Sequence, residues 1–549
     1  MFQENKKHLQ KNLFNTETTM NNTRKLVLKN GWSEKFYENI FLSIDEKSFE
    51  GLYKESLGRP NFPVNILVGL EILKETFTLT DEQLYENYHF NYLYQKALGV
   101  EDINEYSFSI RTLYNFRFSL GQYENKTGMD LFSKIFKNGR DKIISELGLK
   151  TGLQRTDSVM IGANIKRMSR FTLFHKILSN LVKELIKQNE IVSEELKELV
   201  NEEEDSAYYK LNRNQVDEKL KTLSKFLYIH VERWKTDERI NNTDAYLNAC
   251  RLIEEQCKII NSTKIELKEP KEIQSGSLQN PADPDATHKR KMEEDFRGYS
   301  VHGVETCDSS NPIQVITSVE TVKNNVDDAK VLSVSIPKLK EETNIGTIIT
   351  DGGYVSEDVR QKCEEYKIDF IATSIRGKEQ SEDKINSLSF EIGENKLIEK
   401  CPNGERPIKQ KLKEDGTLIA TFDSKKCITC PLRDKCIAFQ SEKQSRLVIN
   451  TKRRWLDERR AKQTSEEYQS LCKLRPAVEG LMEKLKPKYL RGRTLFRGLS
   501  KVRNRMTLRA IGLNFKRYWA WILDILSVFI NLIETHSQKR NFIFSWVLI

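Results

Sequence analysis

Two short apolar runs, LQRTDSVMIGANI and GTIITDGGYVSED, have strand character, and each carries an aspartate within it or at its end: Asp157 and Asp351. GTIIT reads as a central buried strand that delivers Asp351 at its C-terminal end, and the following Gly352 and Gly353 allow a tight turn. A third acid, Glu479, lies in CKLRPAVEGLMEKLK, which reads as helix. Hard divalent cations such as Mg2+ need oxygen ligands, and a pair of them stabilises both the attacking and the leaving oxygen of a phosphodiester displacement. The three acids therefore have the character of a divided metal-binding carboxylate triad. An isolated Asp-Gly-Gly would mean only a turn.

Around these acids the chain orders itself in blocks. Residues 31–146 are predominantly helical, with FPVNILVGLEILKE apolar at mixed three and four spacing and TDEQ in a capping-box pattern. In the later SFSIRTLYNFRFSLGQYEN, Arg111 and Arg117 stand near aromatics, a pattern that suits DNA contact or a plain helical scaffold. Residues 150–168 hold the first core strand, and 169–270 a charged helical insertion whose acidic runs are solvated faces. Residues 271–384 supply further strands and a helix. A cysteine-rich stretch spans 385–450, the candidate catalytic helix and a basic segment 451–517, and an amphipathic helix with a tail 518–549. Strand, strand, strand, helix, strand and later helix, with acids on the first and fourth strands and on the helix, describe an α/β ribonuclease-H-like core. The helical and cysteine-rich insertions account for the long separations between the acids.

Charge adds the partner. The net charge of +10 over 549 residues is moderate, but from Lys484 to Arg517 there are twelve Lys or Arg and no Asp or Glu. Aromatic and aliphatic residues interleave, so Lys486, Arg491, Arg493, Arg497, Lys501, Arg503 and Arg505 are candidates to meet DNA phosphates. A solvated basic helix face is the competing reading. The N-terminus lacks the apolar stretch of a secretory signal, and YWAWILDILSVFINLIE carries a polar stripe of Asp524, Ser527, Asn531 and Glu534. A cytoplasmic, nucleoid-associated protein without a membrane span is expected.

Four of the nine cysteines, Cys401, Cys427, Cys430 and Cys436, fall within 36 residues, where a uniform spread would place roughly 0.6. Four thiolates suit a closed, structural Zn2+ site and are unsuited to Mg2+. The other reading is four reduced, unliganded thiols. Cys250, Cys257, Cys307, Cys363 and Cys472 are scattered and read as packing residues.

The blocks RPNFPVNILVGLEILKE, TDSVMIGANIKR, NPADPDATHKRK, GYSVHGVE, TDGGYVSEDV and RPAVEGLMEKLK, the last followed by RTLFRGLSKVRNRMTLRAIGLNFKR, occur in this order. In this the chain resembles the DDE transposases of bacterial insertion sequences, and most closely the insertion-sequence family numbered eleven-eighty-two. The resemblance implies Asp157, Asp351 and Glu479 as catalytic ligands of two Mg2+ (or Mn2+) ions. It also implies cleavage of double-stranded DNA at terminal inverted repeats, strand transfer into target DNA, and a homodimer or higher synaptic assembly. The alternative is a ribonuclease-H-like nuclease or an inactive, transposase-derived DNA-binding protein. Glu479 is preferred over Glu466, Glu467 and Glu483 because the family places an Arg four residues before its Glu and a Lys seven after, matched by Arg475 and Lys486. On one helix these would share a face with Glu479, where Arg475 and Lys486 would bind DNA phosphates next to the metals, although Pro476 disfavours helix at Arg475. Where the family often has Tyr seven residues before the Glu, this chain has Cys472. The family's counterpart of NPADPDATHKRK lies close to the active site, which makes Asp283, Asp285, His288 and Lys289 supporting candidates. His302 reads as a strand histidine satisfied by packing.

Overall fold

The computed structural model describes residues 1–10, 15–53, 60–201, 203–209, 211–261, 264–291, 293–374, 384–440, 444–487 and 492–546. The chain divides into two compact units. One comprises Met1–Lys150, Ser158–Asp327 and Glu479–Ile549, the other Thr151–Asp157 and Asp328–Val478. Strand β1 (Leu153–Gly162) contributes its first half to the second unit and its second half to the first.

In the first unit the helix α1 (Val64–Phe77) is buried on nearly every side, as expected of a segment apolar all round. Next comes the helix Asp81–Phe90, which starts with the capping box seen in TDEQ: Thr80 accepts from the Gln83 N–H and the Gln83 side chain accepts from Thr80. Helix α2 (Ile110–Thr127) buries Leu113, Phe116 and Leu120. The insertion folds as helices between Arg170 and Gln256 with a core of its own that includes Phe174, Leu181, Leu227 and Leu252. Strands β2 (Thr287–Lys291), β3 (Glu294–Thr306) and β4 (Ile316–Lys323) then form an antiparallel meander centred on β3. Beside β1, the Ala163 N–H donates to the Arg297 carbonyl at 2.9 Å.

Helix α3 (Val478–Leu485) packs on β3 by a specific device. Its Leu481, Met482 and Leu485 are buried, and a Cβ at Gly303 would stand 2.8 Å from the Met482 methyl carbon and 3.3 Å from each leucine. The glycine of GYSVHG is thus the groove that receives the helix. His302 beside it is 4% exposed and lies 3.2 Å from the Ser300 hydroxyl, a satisfied strand histidine.

A single helix, α4, runs from Leu499 to Trp546. The expected break between a basic segment ending at 517 and a separate helix from 518 does not occur, because no helix-breaking residue stands there. Helix α4 is stitched to β4 by Asn514, whose side chain accepts from the Ile316 N–H and donates to the Ile316 carbonyl. No helix among the described residues is long and apolar enough to cross a membrane.

In the second unit β1 pairs in parallel with β5 (Thr347–Thr350), and β5 in parallel with β6 (Asp369–Ala372). The helices Asp328–Thr343 and Glu357–Glu365 make the crossovers that parallel strands require. The stretch Ser387–Ile449 builds a lobe around β7 (Lys409–Leu412), β8 (Leu418–Phe422), β9 (Phe439–Gln440) and β10 (Ser445–Ile449), in the order β7-β8-β10-β9. A meander in one unit and parallel strands with crossover helices in the other are compatible with the expected α/β core.

Candidate active site

The register that aligns Leu153 with Thr347 and Arg155 with Ile349 carries Asp157 to the level of Asp351 on the neighbouring parallel strand. Two carboxylates thus leave the same end of the sheet, where open α/β sheets place their chemistry. Asp351 starts a 3-10 turn over Gly352–Tyr354, and its Oδ1 accepts from the Gly353 N–H at 2.8 Å. A Cβ at Gly352 would stand 2.5 Å from the Ser374 Oγ and 2.7 Å from its carbonyl oxygen, so this turn admits only glycine. The Tyr354 hydroxyl hydrogen-bonds Thr156, and burial followed by the nearby Asp328 and Asp157 carboxylates pushes it well above its usual range. It therefore stays protonated beside the acids.

Arg475 joins the two aspartates. One guanidinium nitrogen, Nη2, lies 2.6 Å from the Asp157 Oδ2 and 4.0 Å from the Asp351 Oδ2. Its position is prepared locally. Arg155 donates to the Leu474 carbonyl at 2.6 Å, and the Tyr468 hydroxyl bonds both the Ala372 carbonyl and the Ala372 N–H. Arg475 sits in a 3-10 turn over Arg475–Ala477, and Lys486 just beyond the end of α3. As Pro476 leads one to expect, Arg475 does not share a continuous helical face with Glu479 and faces the aspartates instead, whereas the Lys486 N–H still donates to the Met482 carbonyl of α3. Lys486 pairs with Glu483 at 3.1 Å. Glu479 is exposed in the first turn of α3 and belongs to the first unit.

The basic segment divides in two. Arg493, Arg497 and Lys501 are exposed. Before α4 the segment is held by the Thr494 N–H on the Gly162 carbonyl at 2.8 Å and by the Gly498 and Leu499 N–H groups on Asp283 and Asp285, both at 3.0 Å. Asp283 and Asp285 therefore anchor the start of α4, and Asp285 also pairs with Lys323. His288 pairs with Asp295 at 3.0 Å on the β2–β3 hairpin.

Arg505 requires a correction. Arg503 lies 3.6 Å from Asp130, and the 4% exposed Arg505 lies 2.6 Å from Glu71 and 3.3 Å from Glu75. Arg505 also covers the Phe496 ring at 4.2 Å. Arg117, read as a possible DNA contact, belongs to the same cluster through Glu71 at 2.6 Å and Asp81 at 2.7 Å. Burial would raise Glu71, but Arg117 and Arg505 outweigh it and hold the carboxyl below its ordinary range. These arginines neutralise a buried acid. Arg491 lies outside the described residues. The signal that sequence reasoning missed was Glu71 itself, a lone acid inside an otherwise apolar helix.

Cys401, Cys427, Cys430 and Cys436 line one small cavity with Phe390 and Phe422. Among the described residues, no group of three or more His, Cys, Asp or Glu is arranged to hold a metal ion on its own. The aspartate pair nevertheless fits Mg2+, which keeps several waters and is commonly held by one or two carboxylates together with substrate phosphates. The guanidinium between Asp157 and Asp351 already occupies the position of a shared cation.

Two family models match the chain. Residues 400–519 match the transposase DDE domain, and residues 27–118 the transposase domain DUF772. The chain is a DDE transposase of the insertion-sequence type. The DDE match implies a ribonuclease-H-like α/β core, DNA as substrate and an enzyme that cleaves it. DDE transposases generally use divalent metal ions such as Mg2+. The matched DDE segment of this transposase contains Arg475, Glu479 and the exposed Arg493, Arg497 and Lys501. No curated protein and no solved structure matches it.

Proposed function

We propose that Asp157, Asp351 and Glu479 are the catalytic carboxylates and that the transposase cuts the ends of its own element and joins them to target DNA. The observation that carries this reading is the convergence of Asp157 and Asp351 on the single guanidinium of Arg475. When bound, a pair of Mg2+ ions supplies activation of water or a 3'-hydroxyl and stabilisation of the departing 3'-oxygen. The chain's own part is position and charge. Asp157 and Asp351 offer hard oxygen donors from one sheet end, and Arg475 keeps them from repelling each other. The protonated Tyr354 holds Thr156, the residue before Asp157, in place. Arg493, Arg497 and Lys501, exposed and backed by a segment bonded to β1 and to Asp283 and Asp285, grip the DNA backbone together with Lys486. The N-terminal helices contribute to DNA binding through exposed Arg111. Cutting and joining two ends in concert calls for a synaptic dimer or larger assembly. The six ordered sequence blocks support membership of the insertion-sequence family numbered eleven-eighty-two.

The test is a Mg2+-dependent cleavage and strand-transfer assay on labelled DNA carrying the element's ends. Asp157→Asn, Asp351→Asn and Glu479→Gln should each abolish both steps and leave end binding intact. Full activity of Glu479→Gln with loss in Glu483→Gln would move the third ligand one helical turn along.

A further inference from the structure

The lobe Ser387–Ile449 has a small apolar core of its own. Its buried apolar core consists of Phe390, Ile398, Leu418, Ala420, Phe422, Ala438, Leu447 and Ile449, two of them alanines. Segments of this size seldom stay folded on so small a core without a disulfide or a metal. All four of the lobe's cysteines are unpaired, so no disulfide supplies the missing stabilisation.

The fold brings those four cysteines from three separate stretches to one place. Cys401 opens a turn in which the Gly404 N–H donates to the Cys401 carbonyl at 2.8 Å, with Gly404 at φ +84°. Cys427 lies in the short helix Ser424–Ile428, and the chain turns back so that the Cys430 N–H meets the Cys427 carbonyl. Cys436 follows a 3-10 turn over Arg433–Lys435. All four are half-buried around a cavity of about 30 Å³, which is room for a single small ion or water.

Two backbone amides aim at the sulfurs. The Leu432 N–H donates to the Cys430 Sγ at 3.4 Å, and the Ala438 N–H donates to the Cys436 sulfur. In each case the donor lies two residues beyond the cysteine. An amide pointed at sulfur orients it in the way that outer hydrogen bonds orient metal ligands. Four thiolates cannot share one cavity without a cation among them. As placed they are four separate thiols that do not yet form a closed ligand group.

We propose that Cys401, Cys427, Cys430 and Cys436 bind one structural Zn2+ that holds the lobe together. Soft sulfur donors select zinc over magnesium, and four protein ligands leave no open position, so this ion takes no part in the DNA chemistry. The site shares no residue with the proposed reaction and does not depend on it. Binding displaces up to four protons from the thiols, so affinity falls as pH is lowered.

The experiment is metal analysis of the full-length, untagged chain purified under reducing conditions after growth with added zinc. About one zinc per chain is expected. Cys430→Ser and Cys436→Ser should each lose most of it, whereas Cys472→Ser, outside the cluster, should keep it. If the serine variants do not fold, cobalt(II) titration of the wild-type chain decides. One equivalent should give the intense sulfur-to-metal and visible bands of a tetrahedral tetrathiolate, bleached by one equivalent of zinc. A folded wild-type chain with neither zinc nor those bands overturns the proposal, as does full zinc content in both folded serine variants. Because the readout is metal on protein, it stands apart from any result of the DNA cleavage assay.

Discussion

Replacing Arg475 by methionine keeps the aliphatic stem and removes the cation that Asp157 and Asp351 share. The Arg475 and Asp157 side chains are 17% and 14% exposed, and their closest approach is 2.6 Å. Exposed ion pairs contribute about 0–1 kcal/mol, whereas breaking a fully buried one costs about 3–5 kcal/mol, so this pair belongs near 2 kcal/mol. For a unit of this size that corresponds to roughly 4–8 °C in its transition, measured in EDTA. Magnesium should narrow the gap between the two proteins. In the wild type a metal ion has to displace the guanidinium from Asp157, but in Arg475→Met the carboxylates are already free of it. An ion at a hundredfold excess over its Kd adds about 2.7 kcal/mol of stability, so the Mg2+-induced shift should be larger in the variant. Differential scanning calorimetry with and without Mg2+ measures both quantities. Equal Mg2+-induced shifts in the two proteins, or a larger one in the wild type, would refute the idea that Arg475 holds the place of a metal.

Four further outcomes are expected. Gly303→Val places methyl groups where Met482, Leu481 and Leu485 of α3 pack, and should cost about 1–3 kcal/mol in denaturant titration and most of the cleavage activity. Arg505→Met, which leaves buried Glu71 with Arg117 and without its second arginine, should cost about 1–3 kcal/mol of stability. In contrast, Arg497→Ala should leave stability unchanged and reduce the salt dependence of DNA binding by about one ion, read from affinities across a salt series. Glu124, 2% exposed and held by Asn504 at 2.6 Å, has its carboxyl raised to about 7, chiefly by burial. Its folded value lies above its unfolded one, so the stability it contributes is complete below about pH 4.5 and is lost as pH rises through about 7, a change of roughly 3 kcal/mol. Glu124→Gln should flatten that part of the pH–stability curve.

What could be read in the sequence was local. GTIIT ending in Asp351, the capping box at Thr80, the satisfied His302 and the break at Pro476 all follow from neighbours in the chain. What the sequence leaves hidden depends on distant partners. Arg505 looks like a phosphate contact until Glu71, more than four hundred positions earlier, is found against it. Asp283 and Asp285 sit in a polar, proline-bearing loop, and nothing near them reveals that they hold the first amides of α4. The common level of Asp157 and Asp351 is a matter of strand register, which periodicity leaves undetermined.

The pairing of Glu71 with Arg505 bears on how the chain is made. Helix α1 leaves the ribosome carrying an acid that its finished packing removes from water, more than four hundred residues before the arginine that compensates it. Until α4 arrives, closing the N-terminal helices would bury that charge with only Arg117 against it. Full burial of Glu71 in its final setting therefore depends on a helix made much later in the chain.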